Sequence, residues 1–431
     1  MHRRWALGVC VLFSVALLII GATLVRGSDA EPATTWMHMF TPADFPTGSD
    51  LIAFLLSLRV PIPPVIAALE IISVQLTGST DLVMIDLYRV GLAGTYLLAL
   101  WLTFPSIPRQ AAAFAASVIF LWATTLIHPF NAQIYDILLP FFLLLFFTLT
   151  RALLALPARW RAAQLACAVG AGFFLAMAEL ARPFVLLLLP VLLTSAYLGL
   201  RQCPRRVWIA LLMPVVLLSG LWHAHLFVAY GQVLSTNYSG FNLYRAWPQA
   251  PLGPTVQETH SQPAHDARWP NINTQEQFES SQFLQRAVLA YIVSNPGAAL
   301  RHAAHRLVRF AKARTSMYGG QAPTSKVLTL YAVAAPALFL FMFANVLVLA
   351  WYAVRLRARA LSLLSAPDNA LLLITFLSLL VLSLGEAKEE ARLVLSLLPL
   401  LAAVPMARSA GGAPTDGHQS YGIGVAEGPP P

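Results

Sequence analysis

The chain has 431 residues, of which 58% are hydrophobic and 11% charged, and its mean hydropathy is +0.68. These values exclude a soluble globular protein, and apolar runs of about 20 residues, the length that crosses a bilayer, recur along it. The formal charge of +9 does not signal nucleic acid, because the basic residues are spread over short loops between apolar runs, as in the cytoplasmic loops of polytopic membrane proteins.

Residues 1–4 are basic and 5–25 are apolar. A cleaved leader usually has a shorter apolar region, about 7–15 residues, so 5–25 reads as an uncleaved first span with a cytoplasmic N-terminus. Residues 26–80 leave the membrane and hold Asp29, Glu31, Asp44, Asp50 and Glu70 against Arg26 and Arg59. Within them, 51–58 reads as a short helix with Asp50 at its N-cap, and Pro61, Pro63 and Pro64 then break the chain. The apolar stretch 64–76 reads as interfacial rather than spanning.

Further spans are predicted at 82–104, 111–128, 135–150, 163–180, 184–200, 208–229, 327–352, 368–385 and 393–408. The connecting loops alternate in charge. Arg109, Arg151, Arg159, Arg161, Arg201, Arg205, Arg206, Arg355, Arg357 and Arg359 fall on one side; Asp136, Glu179, Glu386, Glu389 and Glu390 fall on the other. Ten spans with both termini inside satisfy every loop. The expected fold is therefore an all-α polytopic membrane protein, with interfacial helices in the first outer loop and one larger outer segment. Its divisions are a seven-span module at 1–229, the outer segment 230–326, a three-span module at 327–408, and a disordered cytoplasmic tail at 409–431. Cys10, Cys167 and Cys203 all lie outside the outer segment, so no disulfide framework is expected.

The outer segment is rich in Pro, Asn, Gln and Gly up to about residue 272 and reads there as irregular. Residues 275–293 then show helical spacing, with Phe283, Ala287 and Tyr291 on one line and Leu284, Val288 and Ile292 on the next. Pro296 opens a second helix, to about residue 313. Arg301, His305, Arg309 and Lys312 stack on one of its faces, and Leu300, Ala304, Leu307 and Ala311 on another. Such a helix can lie in the headgroup plane.

Several stretches carry a family resemblance: PPVIAALEIISVQLTGSTDLVMIDLYRVGLAG, with Arg89 embedded in a span; MAELARPFVLLLLP; STNYSGFNLYRAWP; YIVSNPGAALRHAAHRLVRF; and GEAKEEARLVLSLLPLLA. Their order resembles the GT-C membrane glycosyltransferases, in the branch of protein O-mannosyltransferases and bacterial aminoarabinose (lipid A) transferases. That family's adjacent Asp-Glu pair in the first outer loop is absent here, and this chain stops soon after its tenth span. The resemblance implies inverting sugar transfer from a polyprenyl-phosphate carrier to a lipid, glycan or protein acceptor. It places the active site at the outer face of a bacterial inner membrane. No cofactor or metal is expected, and the absence of a Gly-rich phosphate loop agrees with a donor held in the bilayer rather than a nucleotide sugar.

Such a reaction needs a carboxylate base and cations to hold the departing phosphate. Asp50 is the first candidate base: the family pattern places an aromatic four residues and a small residue seven residues after the acid, as Phe54 and Ser57 do here. The N-cap of 51–58 is its competing role. Asp44 is the second candidate, set against a turn residue. Asp136 matches by position an acid that the family keeps at the outer end of the fourth span, set against helix capping. For the donor phosphate the candidates are Arg59, Arg182, Arg301, Arg309 and Arg392, since a guanidinium fork suits phosphate oxygens. The competing role for 301–312 is a basic face over anionic headgroups. Glu179 with Arg182, and Asp86 with Arg89, read as pairs three residues apart at membrane depth. His302 and His305 have metal-ligand spacing without an evident third ligand, and His223 and His225 point to different helix faces. The rival readings are a polysaccharide polymerase or ligase using a lipid-linked glycan, and a lipid or glycan transporter.

Overall fold

The computed structural model describes residues 134–157, 159–182, 184–201, 203–231, parts of 240–250, 275–312, 326–357, 363–364 and 367–385, with isolated positions at 64–98 and 400. Helix accounts for 92% of these residues and no strand is present among them, so every contact below is between helices or the turns that join them. The elements are α1 (Ile134–Ala155), α2 (Arg161–Ala181), α3 (Val185–Leu200), α4 (Arg205–Pro214) and α5 (Leu221–Tyr230). A wide π-turn, Val215–Gly220, joins α4 to α5. Further along the chain come α6 (Gln275–Ser294), α7 (Pro296–Lys312), α8 (Lys326–Leu356) and α9 (Pro367–Gly385).

Three runs are long and apolar enough to cross a membrane: Leu138–Ala155, Arg161–Ala181 and Arg205–Ala229. Val185–Leu200, Leu340–Leu356 and Asn369–Leu382 are shorter apolar helices. Together they fall on six of the expected spans. The expected spans 5–25, 111–128 and 393–408, and the first outer loop, lie outside the described residues but for isolated positions. Of the span expected at 82–104, Gly94 lies against the Phe141 ring of α1, and Thr95, fully buried, returns its hydroxyl to the Gly91 carbonyl.

Proline sets the helix ends. Pro183 disfavours a helical conformation at the residue before it, and Arg182 is accordingly extended, φ −142° and ψ 100°, closing α2. Pro296 and Pro367 open α7 and α9, where their missing N–H costs nothing. Gly231, at φ 65°, caps α5 in the left-handed region and sends its N–H to the Phe227 carbonyl.

Within a bilayer, lipid is as apolar as leucine, so close packing and hydrogen bonds hold spans together. The face Ala168, Gly172 and Ala176 of α2 supplies the packing. A Cβ on Gly172 would lie 1.9 Å from the Leu211 carbonyl oxygen, so only glycine lets α2 and α4 come this close. On its other side α2 pairs along its length with α1, where Leu139, Leu143 and Phe146 are fully enclosed. α3 packs on α9, and the Ser195 hydroxyl crosses to the Leu364 carbonyl at 2.7 Å.

A second small core joins Leu284, Val288 and Ala299 to Tyr244, Ala246, Trp247 and Ala250, with Leu384 of α9 packed against it. The line Leu284–Val288 on α6 is thus the inward one, while Phe283 is exposed. The stretch read as irregular contains a helical turn that ends at Trp247, whose N–H reaches the Leu243 and Tyr244 carbonyls. Two bonds fix this turn. Gly240 N–H donates to Ser281 Oγ at 2.9 Å, in a contact with α6 too close for any Cβ, and Trp247 Nε1 donates to Leu384 O at the end of α9, 2.8 Å away.

Candidate functional site

Three polar residues of the apolar bundle meet at one point. Glu179, in the last turn of α2, is fully enclosed; Ser219 and His223, from the π-turn and α5, are almost so. Ser219 Oγ donates to one carboxylate oxygen at 2.6 Å, and His223 Nε2 lies 2.7 Å from the other. An ionised carboxylate only accepts, so with Glu179 charged both groups donate to it.

The π-turn explains how the three meet. Along an ideal α-helix, steps of four residues drift by about 40° each, so a contact row soon leaves its face. Leu211, Val215, Ser219 and His223 are nevertheless all turned inwards in four-residue steps. An i→i+5 turn rotates the chain less per residue, which cancels the drift over 215–220. Pro214, just before it, has no N–H to give to the residue four back, and that interruption of the ladder is where such a turn forms. Thus Gly172 meets Leu211, and seven residues on Glu179 meets Ser219 and His223. α2 and the α4–α5 helix run parallel, with the polar contact towards the end where both stop.

An enclosed carboxylate joined to an imidazole can share or pass a proton, and π-turns and ionisable groups at such depth recur at functional sites. The expected partnership of Glu179 with Arg182 gives way to this arrangement: both carboxylate oxygens are engaged by the neighbouring helix, 40 and 44 residues away in sequence. His223, weighed from the sequence only as a weak metal ligand, is the residue that sequence reasoning missed. Its one signal was an imidazole in a long apolar run opposite an equally isolated acid.

Asp50, Asp44, Arg59 and Arg392 lie outside the described residues. Asp136 is the third residue of α1, in its first turn. Arg182 follows α2 and is largely buried, its backbone N–H bonded to the Ala178 and Glu179 carbonyls. Arg301 stands exposed on α7 and Arg309 lies two turns further along the same helix. α7 packs on α6, α8 and α9, whereas α2 packs on α1, α3, α4 and the π-turn, so the helices beside Arg182 and Arg301 share no main packing neighbour and are linked through α9, which packs on α1 and α3. His302 is engaged as well: its ring lies 4.6 Å from that of Trp247, and Nε2 is 2.7 Å from the Ala246 carbonyl. A carbonyl only accepts, so Nε2 carries the proton and is not offered to a metal. No group of three or more metal-ligating side chains occurs among the described residues. Cys203, in the turn between α3 and α4, is a free thiol, and burial pushes its pKa up.

No protein-family model, no curated protein and no solved structure matches the chain.

Proposed function

We propose that the chain is a ten-span membrane glycosyltransferase of GT-C type, with both termini cytoplasmic and its active site at the outer face. Its donor is a polyprenyl-phosphate sugar and its acceptor a lipid, glycan or protein. The observation that carries this reading is the order of the five family-like segments along the sequence. The helical, apolar character of α1–α5 and α8–α9 is compatible with it, as is the exposed position of Arg301.

In this reading Asp50 takes the proton of the acceptor hydroxyl as that oxygen attacks the anomeric carbon, with Asp44 or Asp136 as the other candidate bases. The bond from the anomeric carbon to the carrier phosphate breaks from the opposite side, which inverts the configuration. The freed phosphate is met by guanidinium groups, drawn from Arg59, Arg182, Arg301, Arg309 and Arg392. The test is transfer from a purified lipid-linked donor by Asp50→Asn and Asp136→Asn variants. A loss of about 10²–10⁴ in rate is expected for the residue that acts as base; full activity in both removes the assignment.

A second reading, transport coupled to proton movement, is favoured by one observation, the enclosed Glu179–His223 contact beside a helix interruption. It predicts substrate crossing proteoliposome membranes with no new glycosidic bond, and loss of that flux in Glu179→Gln.

A further inference from the structure

The exposed side of α7 is not uniform. Around its axis the helix divides into three sectors. Ala299, His302 and Arg306 turn towards the protein. Leu300, Ala304 and Val308, spaced four apart, are exposed, with Leu300 at 73%. Arg301 and His305, also four apart, are exposed beside them. The apolar sector has no partner within the described fold, and it continues beyond α7. Val293, at the end of α6, is 79% exposed, and α8, on which α7 packs, exposes Leu340, Leu347 and Val354 at 71%, 70% and 74%. α8 is a strongly apolar helix, so its outer side is the kind of surface that lipid covers.

The charge pattern names the partner. Between Glu279 and the start of α8 at Lys326 the sequence has no acidic residue, yet it has seven Lys and Arg with Lys326 counted. A water-facing surface ordinarily mixes both signs; one with cations alone beside an apolar row suits anionic headgroups over acyl chains. We infer that α7 lies in the boundary layer of the membrane, with Leu300, Ala304 and Val308 in the acyl region and Arg301 and His305 among the phosphates of anionic lipids. The α6–α7 hairpin is then tied at both edges: to the protein by His302 and by the turn that ends at Trp247, and to the bilayer by the outer sectors of α7. This does not depend on the chain being a transferase.

The experiment uses the full chain with Cys10, Cys167 and Cys203 replaced by Ser and single spin labels at Leu300→Cys, Val308→Cys, Arg301→Cys or His305→Cys. Collisions with oxygen, which concentrates in the acyl region, are compared with collisions with a water-soluble nickel chelate. In vesicles containing phosphatidylglycerol, labels at 300 and 308 are expected to favour oxygen severalfold more than labels at 301 and 305. With phosphatidylcholine alone, all four labels shift towards the chelate. If 300 and 308 meet the chelate as readily as 305, the sector faces water and the inference fails. If both reagents are blocked at 300 and 308, a second copy or another protein covers them and it fails equally. Depths that do not change between the two lipids overturn the assignment to anionic headgroups.

Discussion

The α2–α4–α5 contact and the α6–α7 hairpin handle polar groups in opposite ways. In the first, a serine and a histidine are turned inwards onto one glutamate, and the backbones around them are drawn together by Gly172. Along α7 of the second, His302 and Arg306 turn inwards, while Arg301 and His305 stay on the outside next to exposed leucine and valine. The difference follows from the solvent. Lipid offers no hydrogen bonds, so a polar group within a span turns to protein, to a carbonyl of its own helix as Thr150 does or to a neighbouring helix as Glu179 does. At the boundary, headgroups and water take that role, and a helix can turn side chains such as Arg301 and His305 outwards.

The comparison breaks most visibly at Glu179. Its replacement by Ala leaves the imidazole and the hydroxyl enclosed without an acceptor, and about 3–5 kcal/mol should be lost from unfolding in detergent if the pair is ionic. Ser219→Ala, by contrast, should cost about 0.6 kcal/mol, the mean for a hydrogen bond between spans. Equal effects from the two would show that the imidazole contact carries no special share. Gly172→Val tests the other half of the contact. Its Cβ collides with backbone, not with a movable side chain, so the helices must separate at a cost of about 3 kcal/mol, while Gly297→Ala, where nothing lies within 4 Å, should leave stability near the parent's.

On the hairpin side, Trp247→Phe keeps most of the buried ring but removes the N–H that reaches Leu384. A loss of about 1 kcal/mol is expected, together with faster amide exchange in the last turn of α9. The smallest effect concerns Cys203. The thiolate is the reactive form and burial raises the pKa, so maleimide labelling should be slow at neutral pH and keep rising with pH beyond the range where an exposed thiol levels off. A rate that levels off as early as that of a free cysteine would show the turn between α3 and α4 to be open.

Much of this fold is legible in the chain itself. Apolar run length and proline position give the starts of α1–α4, α8 and α9 to within three residues, because a span has to be about 20 residues long and because proline acts locally. The helix α6 follows from its spacing in the same way, although the spacing left two apolar lines and only the packing shows that Leu284 and Val288 are the inward ones. What is not legible depends on partners far apart in sequence. Nothing near Glu179 announces Ser219 or His223, and four-residue spacing on an ideal helix would turn them away from Leu211. The helical turn at Trp247 escaped because Pro, Asn and Gly dominate its flanks while its stability comes from Ser281 and Leu384. Arg182 and Arg301 look alike as phosphate candidates on paper, and only the structure shows that one is largely buried after α2 while the other is exposed on α7.

The wide turn at 215–220 amounts to a single-residue insertion stored within the helix. Deleting Leu217 would let an unbroken α-helix form through the segment, and because the turn already absorbs the extra residue, everything beyond it would keep its face. Ser219 and His223 would then stand seven and eleven positions after Leu211, within about 20° of its azimuth, and Glu179 would still meet both. Losing the turn while keeping the residue is what would swing His223 about 120° away and leave the acid facing a merely greasy helix.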